Sequence, residues 1–116
     1  MKIDRYSFGK LDLDGKSYES DIIIYPDKVD SSWWRKEGHY LRIEDVKDVI
    51  KEKPDVIIIG TGYYGAMTVP KETIDYLKKN NFQVFVEKTP EAVRLFNDIS
   101  VKDADKGIVA MFHLTC

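Results

Sequence analysis

Cysteine is almost absent from this sequence. The single one, Cys116, is the last residue. One thiol makes no intramolecular disulfide, so no oxidising compartment is implied. Histidine is nearly as scarce, with His39 and His113 alone. Neither His-x-x-x-His nor Cys-x-x-Cys spacing occurs, so no metal site is expected. Positive charge is not in surplus either. Eighteen basic residues face twenty acidic ones, for a net charge of −2 and a pI near 5.7. A nucleic-acid partner held by a basic face is therefore not favoured. Long apolar runs are missing. Ile108–Phe112 has five residues, against ~20 for a bilayer span. Met1–Arg5 has no apolar segment of the kind that opens a secretory signal. The expected location is the cytoplasm, with no membrane association. No G-x-S-x-G elbow marks a serine hydrolase.

What is present fits one domain over residues 1–116. A chain of this size buries roughly two-thirds of its unfolded surface, enough for one core. Seven Tyr, five Phe and two Trp supply large apolar groups for it.

Residues 3 to 25 read as antiparallel β. Leu11 and Leu13 alternate with polar neighbours, and Asp14-Gly15 suits a type I′ hairpin turn, where both central residues need positive φ. Ile22-Ile23-Ile24-Tyr25 is a β-branched run stopped by Pro26-Asp27. Residues 26 to 40 show neither period and read as an ordered loop with one turn of helix. Val46, Val49 and Ile50 then repeat at helical spacing. Glu44-Asp45 suit that helix's N-terminus, and the helix ends by Pro54.

From Val56 the pattern becomes regular. Val56 to Ile59 is a short continuous apolar run, as in a strand buried on both faces. A helix opens with Pro70 at its first position and runs to Asn80-Asn81. Phe82 to Val86 is a strand. Thr89 reads as an N-cap and Pro90 as the first residue of a third helix, lined by Ala92, Val93, Phe96 and Ile99. Ile108 to Leu114 is the last strand. The expected fold class is α/β: a three-layer arrangement around a mixed central sheet, with a β-α-β-α-β core flanked by helices and an N-terminal antiparallel β-hairpin layer.

Gly60-Thr61-Gly62-Tyr63-Tyr64-Gly65 matches G-x-G-x-x-G after a strand, and Glu87 falls where a ribose-binding acid would sit. In a dinucleotide fold, however, the helix begins at the second glycine. Pro70 would lie inside that helix and break it. The plain alternative is that the glycines let the chain turn sharply and pack closely. Between the two lies an anion or small-ligand site. Backbone N–H groups of Gly60, Thr61, Gly62 and Tyr63 could form a nest at the strand's carboxyl end, shared with Thr89.

Trp33, Trp34, Arg35 and His39 form a second cluster. Arg35 and His39 suit a carboxylate or phosphate, and the tryptophans suit a protein partner. In the bland reading one tryptophan packs into the core and Arg35 stacks on it. His113, among apolar neighbours, reads as a hydrogen-bonded core residue more than a catalyst.

Ser32-Trp33-Trp34-Arg35 with Gly38-His39, Ile58-Ile59-Gly60-Thr61-Gly62, and Thr89-Pro90-Glu91-Ala92 with Phe96-Asn97 together resemble the Mth-type domain of unknown function. That family includes the adipogenesis-associated Mth-domain-containing protein. A more distant relative is the mitochondrial respiratory complex I assembly factor carrying the same domain. The resemblance spans essentially the whole chain. It departs at Asp105-Lys106-Gly107, where the family has a basic Gly-Arg turn. It implies a compact α/β fold with a mixed sheet and an extra β-hairpin layer, and no established reaction. A cleft near the Gly-Thr-Gly turn is implied by analogy.

The leading expectation is a non-catalytic binding, assembly or regulatory domain. It would use the face carrying Trp33, Trp34, Arg35 and the Gly60–Gly65 loop, with a protein partner and no cofactor. The alternative is a protein or enzyme that takes a small anion or metabolite at Gly60–Gly62 and Thr89, with Arg35 or His39 nearby. Dinucleotide binding is the third reading.

Overall fold

A computed structural model describes residues 1–35 and 37–116 of the chain. Lys36, in the segment expected to be a loop, lies outside the described residues. The fold has two sheets. The first is antiparallel, in the order β1 (Ile3–Ser7), β2 (Lys10–Leu13), β3 (Lys16–Tyr18). Its second turn is Asp14-Gly15, with φ of +49° and +82°, as a type I′ turn requires. β4 (Ile22–Ile24) leaves this sheet for the second one. There follow β5 (Val29–Asp30), α1 (Ile43–Lys51), β6 (Val56–Gly60), α2 (Lys71–Lys79), β7 (Gln83–Glu87), α3 (Thr89–Lys102) and β8 (Ile108–Phe112).

The second sheet has the order β5-β4-β8-β6-β7. β6 pairs in parallel with β7 and β8, while β4 runs antiparallel to β8 and β5. This is the mixed sheet with a β-α-β-α-β core expected from the sequence. β6 and β8 are buried at every position, which explains why each reads as an unbroken apolar run.

Alternation along these strands divides the core. Val56 and Ile58 join Ala110, Phe112, the α3 residues Ala92 and Phe96, and Leu11 and Leu13 of the hairpin layer. Ile57 and Ile59 join Val109, Met111, Val46 and Val49 of α1, and Leu77 of α2. Thus α1 and α2 cover one face, while α3 and the three-stranded sheet cover the other. No helix among the described residues is long and apolar enough to cross a membrane.

Three local expectations need correction. The segment 26–40 contains no turn of helix among its described residues. Its chain reverses where the Tyr25 N–H donates to Lys28 O, so that Val29 and Asp30 pair with Ile24 and Ile23. Strand pairing takes the backbone groups that a helical turn would have used. Pro70 is the N-cap of α2 rather than its first residue, in an extended conformation with ψ 150°. Thr89 is the first residue of α3, and Lys88 is its N-cap. The Glu44-Asp45 signal is realised, because Asp45 Oδ2 accepts the Arg42 N–H at 2.8 Å at the start of α1.

Candidate functional site

The three parallel strands end at one level, with Gly60 paired to both Glu87 and Phe112. The segments just beyond them meet at this carboxyl edge. His113 leaves β8 and donates its N–H to Gly60 O at 3.0 Å. Thr89, fully buried, donates its hydroxyl to His113 O at 2.7 Å and accepts the Gly62 N–H at 2.8 Å. The two glycines make room for this. A Cβ on Gly60 would lie 2.7 Å from Phe112 and 2.9 Å from Thr89 Oγ1. Gly62 has φ +110°, and a Cβ there would lie 2.4 Å from the Cys116 backbone and 2.9 Å from His113 Cδ2. Close approach and positive φ both demand glycine.

The expected anion nest is therefore already occupied by the protein. Thr61 N–H donates to Glu87 O, Tyr63 N–H to Thr115 O, Gly65 N–H to Gly62 O and Ala66 N–H to Cys116 O. With Gly62 bonded to Thr89, the turn keeps none of these donors for a ligand. Thr61 is buried, and its hydroxyl also leans on Glu87 O at 3.3 Å. Nor does a helix start at the second glycine, since α2 begins at Lys71.

Against this turn lies a buried ionic centre. Asp21, just before β4, accepts from three donors. Its Oδ1 takes the Leu114 N–H at 2.8 Å. Its Oδ2 takes Arg35 Nη2 at 2.8 Å and His113 Nδ1 at 2.7 Å. A carboxylate partner requires the His113 proton on Nδ1. Burial pushes the Asp21 carboxyl up, but the bonds from His113, Leu114 and Arg35 outweigh it and hold the pKa at about 2. Arg35 is itself buried. It donates to Gly38 O through Nε and Nη2, and its guanidinium stacks 4.3 Å from the Trp33 ring centroid. Two buried nitrogens, Arg35 Nη1 and His113 Nε2, have no partner among the described residues.

The structure thus brings Arg35, Gly62 and Thr89 together through His113. The exposed His39 adds an edge-on ring contact, with centroids 5.2 Å apart. It does not bring the tryptophans to Tyr63. Trp33 is buried in the core beside α1, and Trp34 is 77% exposed. Tyr63 instead joins Tyr6, Phe8 and Tyr64 in a chain of aromatic contacts, with centroids 4.9 to 6.3 Å apart. Tyr6 packs on the opposite core. Its hydroxyl donates to Leu114 O at 2.7 Å. Burial, then the charges of Tyr63 and Asp21, push its pKa up to about 12, against a weaker lowering bond with Thr89.

Asp21 escaped sequence reasoning. The available signal was an acid placed directly before a buried β-branched strand, where a charge needs a partner. Among the described residues no group of three His, Cys, Asp or Glu side chains is arranged to hold a metal ion.

Residues 3–113 match the model of a family described as protein of unknown function, DUF498/DUF598. The chain belongs to this family. A DUF498/DUF598 chain of this kind is an Mth-type domain, as its solved relatives show. It is similar to a conserved hypothetical protein, PH1505, from Pyrococcus horikoshii OT3. That structure is 29% identical, with a TM-score of 0.81 over 100% of both chains. It is also similar to MT938, at 28% identity and a TM-score of 0.80 over 99% of this chain and 98% of that one. A Mth938-like domain from Bordetella pertussis shares the fold at 15% identity. Its TM-score is 0.65 over 97% of this chain and 85% of that one.

Proposed function

We propose that this DUF498/DUF598 domain is a non-catalytic binding or assembly module that docks a protein partner through Phe8, Tyr63 and Tyr64. The observation that carries the reading is that three aromatic rings, 49%, 42% and 68% exposed, contact one another on the surface. Exposed apolar patches of this kind mark protein interfaces. Aromatic residues are enriched there because one rigid ring brings large contact area and a polar tip. Lys88, whose side chain lies against Gly65, gives the patch a polar rim. The ionic centre supports the same reading. Its half-buried acid is bonded to the buried His113 and Arg35, as befits a latch on the chain's own segments.

The test is a photo-crosslinking residue at position 64, with one at the exposed Val101 as control. The expected result is one adduct specific to position 64. The purified partner should then bind the wild-type chain, and binding should be lost in Phe8→Ser/Tyr64→Ser. A partner that binds this double variant undiminished would overturn the reading. So would substrate turnover by the purified chain that survives the patch variant and is lost in Arg35→Ala.

A second reading has its own support. Arg35 Nη1 is a buried donor without a partner among the described residues, and His39 stands exposed beside His113. A small carboxylate or phosphate metabolite would suit them, now without the Gly62 N–H, which Thr89 holds. Phosphate, citrate and acetate should then raise the melting temperature at about 10 mM. No shift with any of them removes this reading.

A further inference from the structure

A groove of about 580 Å³ lies between β4, β5 and α1. Its apolar lining includes Trp33, Trp34 and Tyr25, and its charged lining is Asp30, Glu44, Asp45 and Asp48. Among the described residues no lysine or arginine lines it. We infer that this groove binds an extended peptide segment of a protein partner that carries lysine or arginine at alternate positions.

Charge complementarity commits the groove to a cation. Four carboxylates line it, and two are already engaged. Asp45 takes the Arg42 N–H, and Asp30 takes the Ser32 N–H at 3.0 Å. Glu44 makes no ion pair among the described residues. Among the described residues Asp48 pairs with Lys51 alone, at 3.4 Å, with both side chains exposed, and such a pair is worth little. The aromatic lining fits the same partner. Ring faces attract cations. The protein itself shows this at two of these rings, with Arg35 over Trp33 at 4.3 Å and Lys28 over Tyr25 at 5.0 Å. Trp34 carries no such cation among the described residues and is the most exposed ring in the groove.

Spacing favours an extended peptide over a small ammonium ion. Glu44 and Asp48 are four residues apart on α1, so their Cβ atoms stand about 5–6 Å apart along one helix face. Alternate side chains of an extended strand project from one face about 7 Å apart. Two basic side chains at i and i+2 therefore meet Glu44 and Asp48 together, with their stems lying along the indole of Trp34.

The test is titration of the intact chain with an acetylated, amidated Lys-Ser-Lys-Ser-Lys-Ser peptide, followed by tryptophan fluorescence and calorimetry. The expected affinity is modest, about 0.1–1 mM at low salt, and falls as salt is added. Glu44→Gln/Asp48→Asn should weaken binding about tenfold, and Trp34→Ala about fivefold. Asp98→Asn, an exposed acid on α3 across the sheet from α1, should leave it unchanged. Four results would each overturn the inference. One is equal binding by the Glu44→Gln/Asp48→Asn variant. Another is equal binding of a Glu-Ser repeat. A third is no binding of the lysine peptide at about 10 mM. The fourth is tetramethylammonium binding as tightly as the peptide, which would assign the groove to a small cation instead. All the substitutions are at exposed positions, so the fold survives each of them.

Discussion

Gly62 and Thr89 hold each other by two hydrogen bonds. The Gly62 N–H donates to Thr89 Oγ1 at 2.8 Å, and the Thr89 N–H donates back to Gly62 O at 3.0 Å. The Thr89 hydroxyl then spends its own proton on His113 O at 2.7 Å. One side chain thus ties the turn after β6, the start of α3 and the end of β8. Thr89→Val keeps the shape and removes the hydroxyl. It leaves the buried Gly62 N–H and His113 O unpaired, and should cost about 2 kcal/mol. Urea unfolding of Val and Ser variants measures this. Thr89→Ser should recover most of the loss, and amide exchange at Gly62 should quicken only in the valine form.

Gly62→Ala meets two obstacles together. The backbone sits at φ +110°, and the new Cβ would lie 2.4 Å from the Cys116 carbonyl carbon. Strain in the left-handed region and overpacking should together destabilise by about 3 kcal/mol. Gly38 makes the comparison clean, because no described residue lies within 4 Å of a Cβ there and its φ is not in the left-handed region. Gly38→Ala should stay within about 0.5 kcal/mol of the parent. Thermal unfolding of both variants separates them.

Local chemistry explains which parts of this were readable from the sequence. Asp14-Gly15 dictates its own turn, and both φ values are positive as the dipeptide requires. Val56 to Ile59 has no polar residue to place on a wet face, so it had to be a strand buried on both sides. Thr89 was harder. As a threonine before a proline it has the form of an N-cap, yet its hydroxyl turns to partners 27 and 24 residues away. A tertiary bond outcompetes a cap when the helix starts against another segment. The ionic centre was less legible still. Asp21 meets Arg35 across 14 residues and His113 across 92. No periodicity or motif spans such distances. The sequence shows Arg35 beside Trp33, on which it does stack, and His113 alone, but not the acid that the two share.

Asp21 should be the costliest charge to remove. Asp21→Asn takes the charge from the group that buried Arg35 and His113 share at 2.8 and 2.7 Å, and its one remaining oxygen cannot serve them and the Leu114 N–H together. An unpaired guanidinium in that position makes the loss about 3 kcal/mol. Arg35→Met should cost less than Asp21→Asn, because it takes the buried charge away instead of stranding it. Chemical denaturation of both single variants decides the order.

The adjacent tryptophans should behave oppositely. Trp33 is 9% exposed and carries Arg35 on its face, while Trp34 is 77% exposed. Trp33→Ala should cost about 3 kcal/mol through the cavity and the lost stacking. Trp34→Ala should stay within about 0.5 kcal/mol. The fluorescence of the Trp34→Ala protein reports Trp33 alone and should be blue-shifted. That of the Trp33→Ala protein should resemble a solvated indole.

Acid should release the same latch. The Asp21 pKa is held at about 2 in the folded chain, below the ordinary carboxylate value near 3.9. A depressed folded value means that the native state favours the charged form more than the unfolded state does. The resulting stability is fully present above the unfolded pKa, and it drains away as pH falls toward the folded one. The window is therefore about pH 4 down to about pH 2, and the amount at stake is about 2 kcal/mol. In Asp21→Asn the side-chain amide has no proton to gain. The carboxylate's own share of the stability difference between the parent and this variant is flat above about pH 5. It should then narrow steadily on further acidification. Parallel urea titrations at each pH measure that difference directly. A gap that stays constant down to about pH 2.5, well inside that window, would mean that His113 and Arg35 do not hold the carboxylate in its charged form.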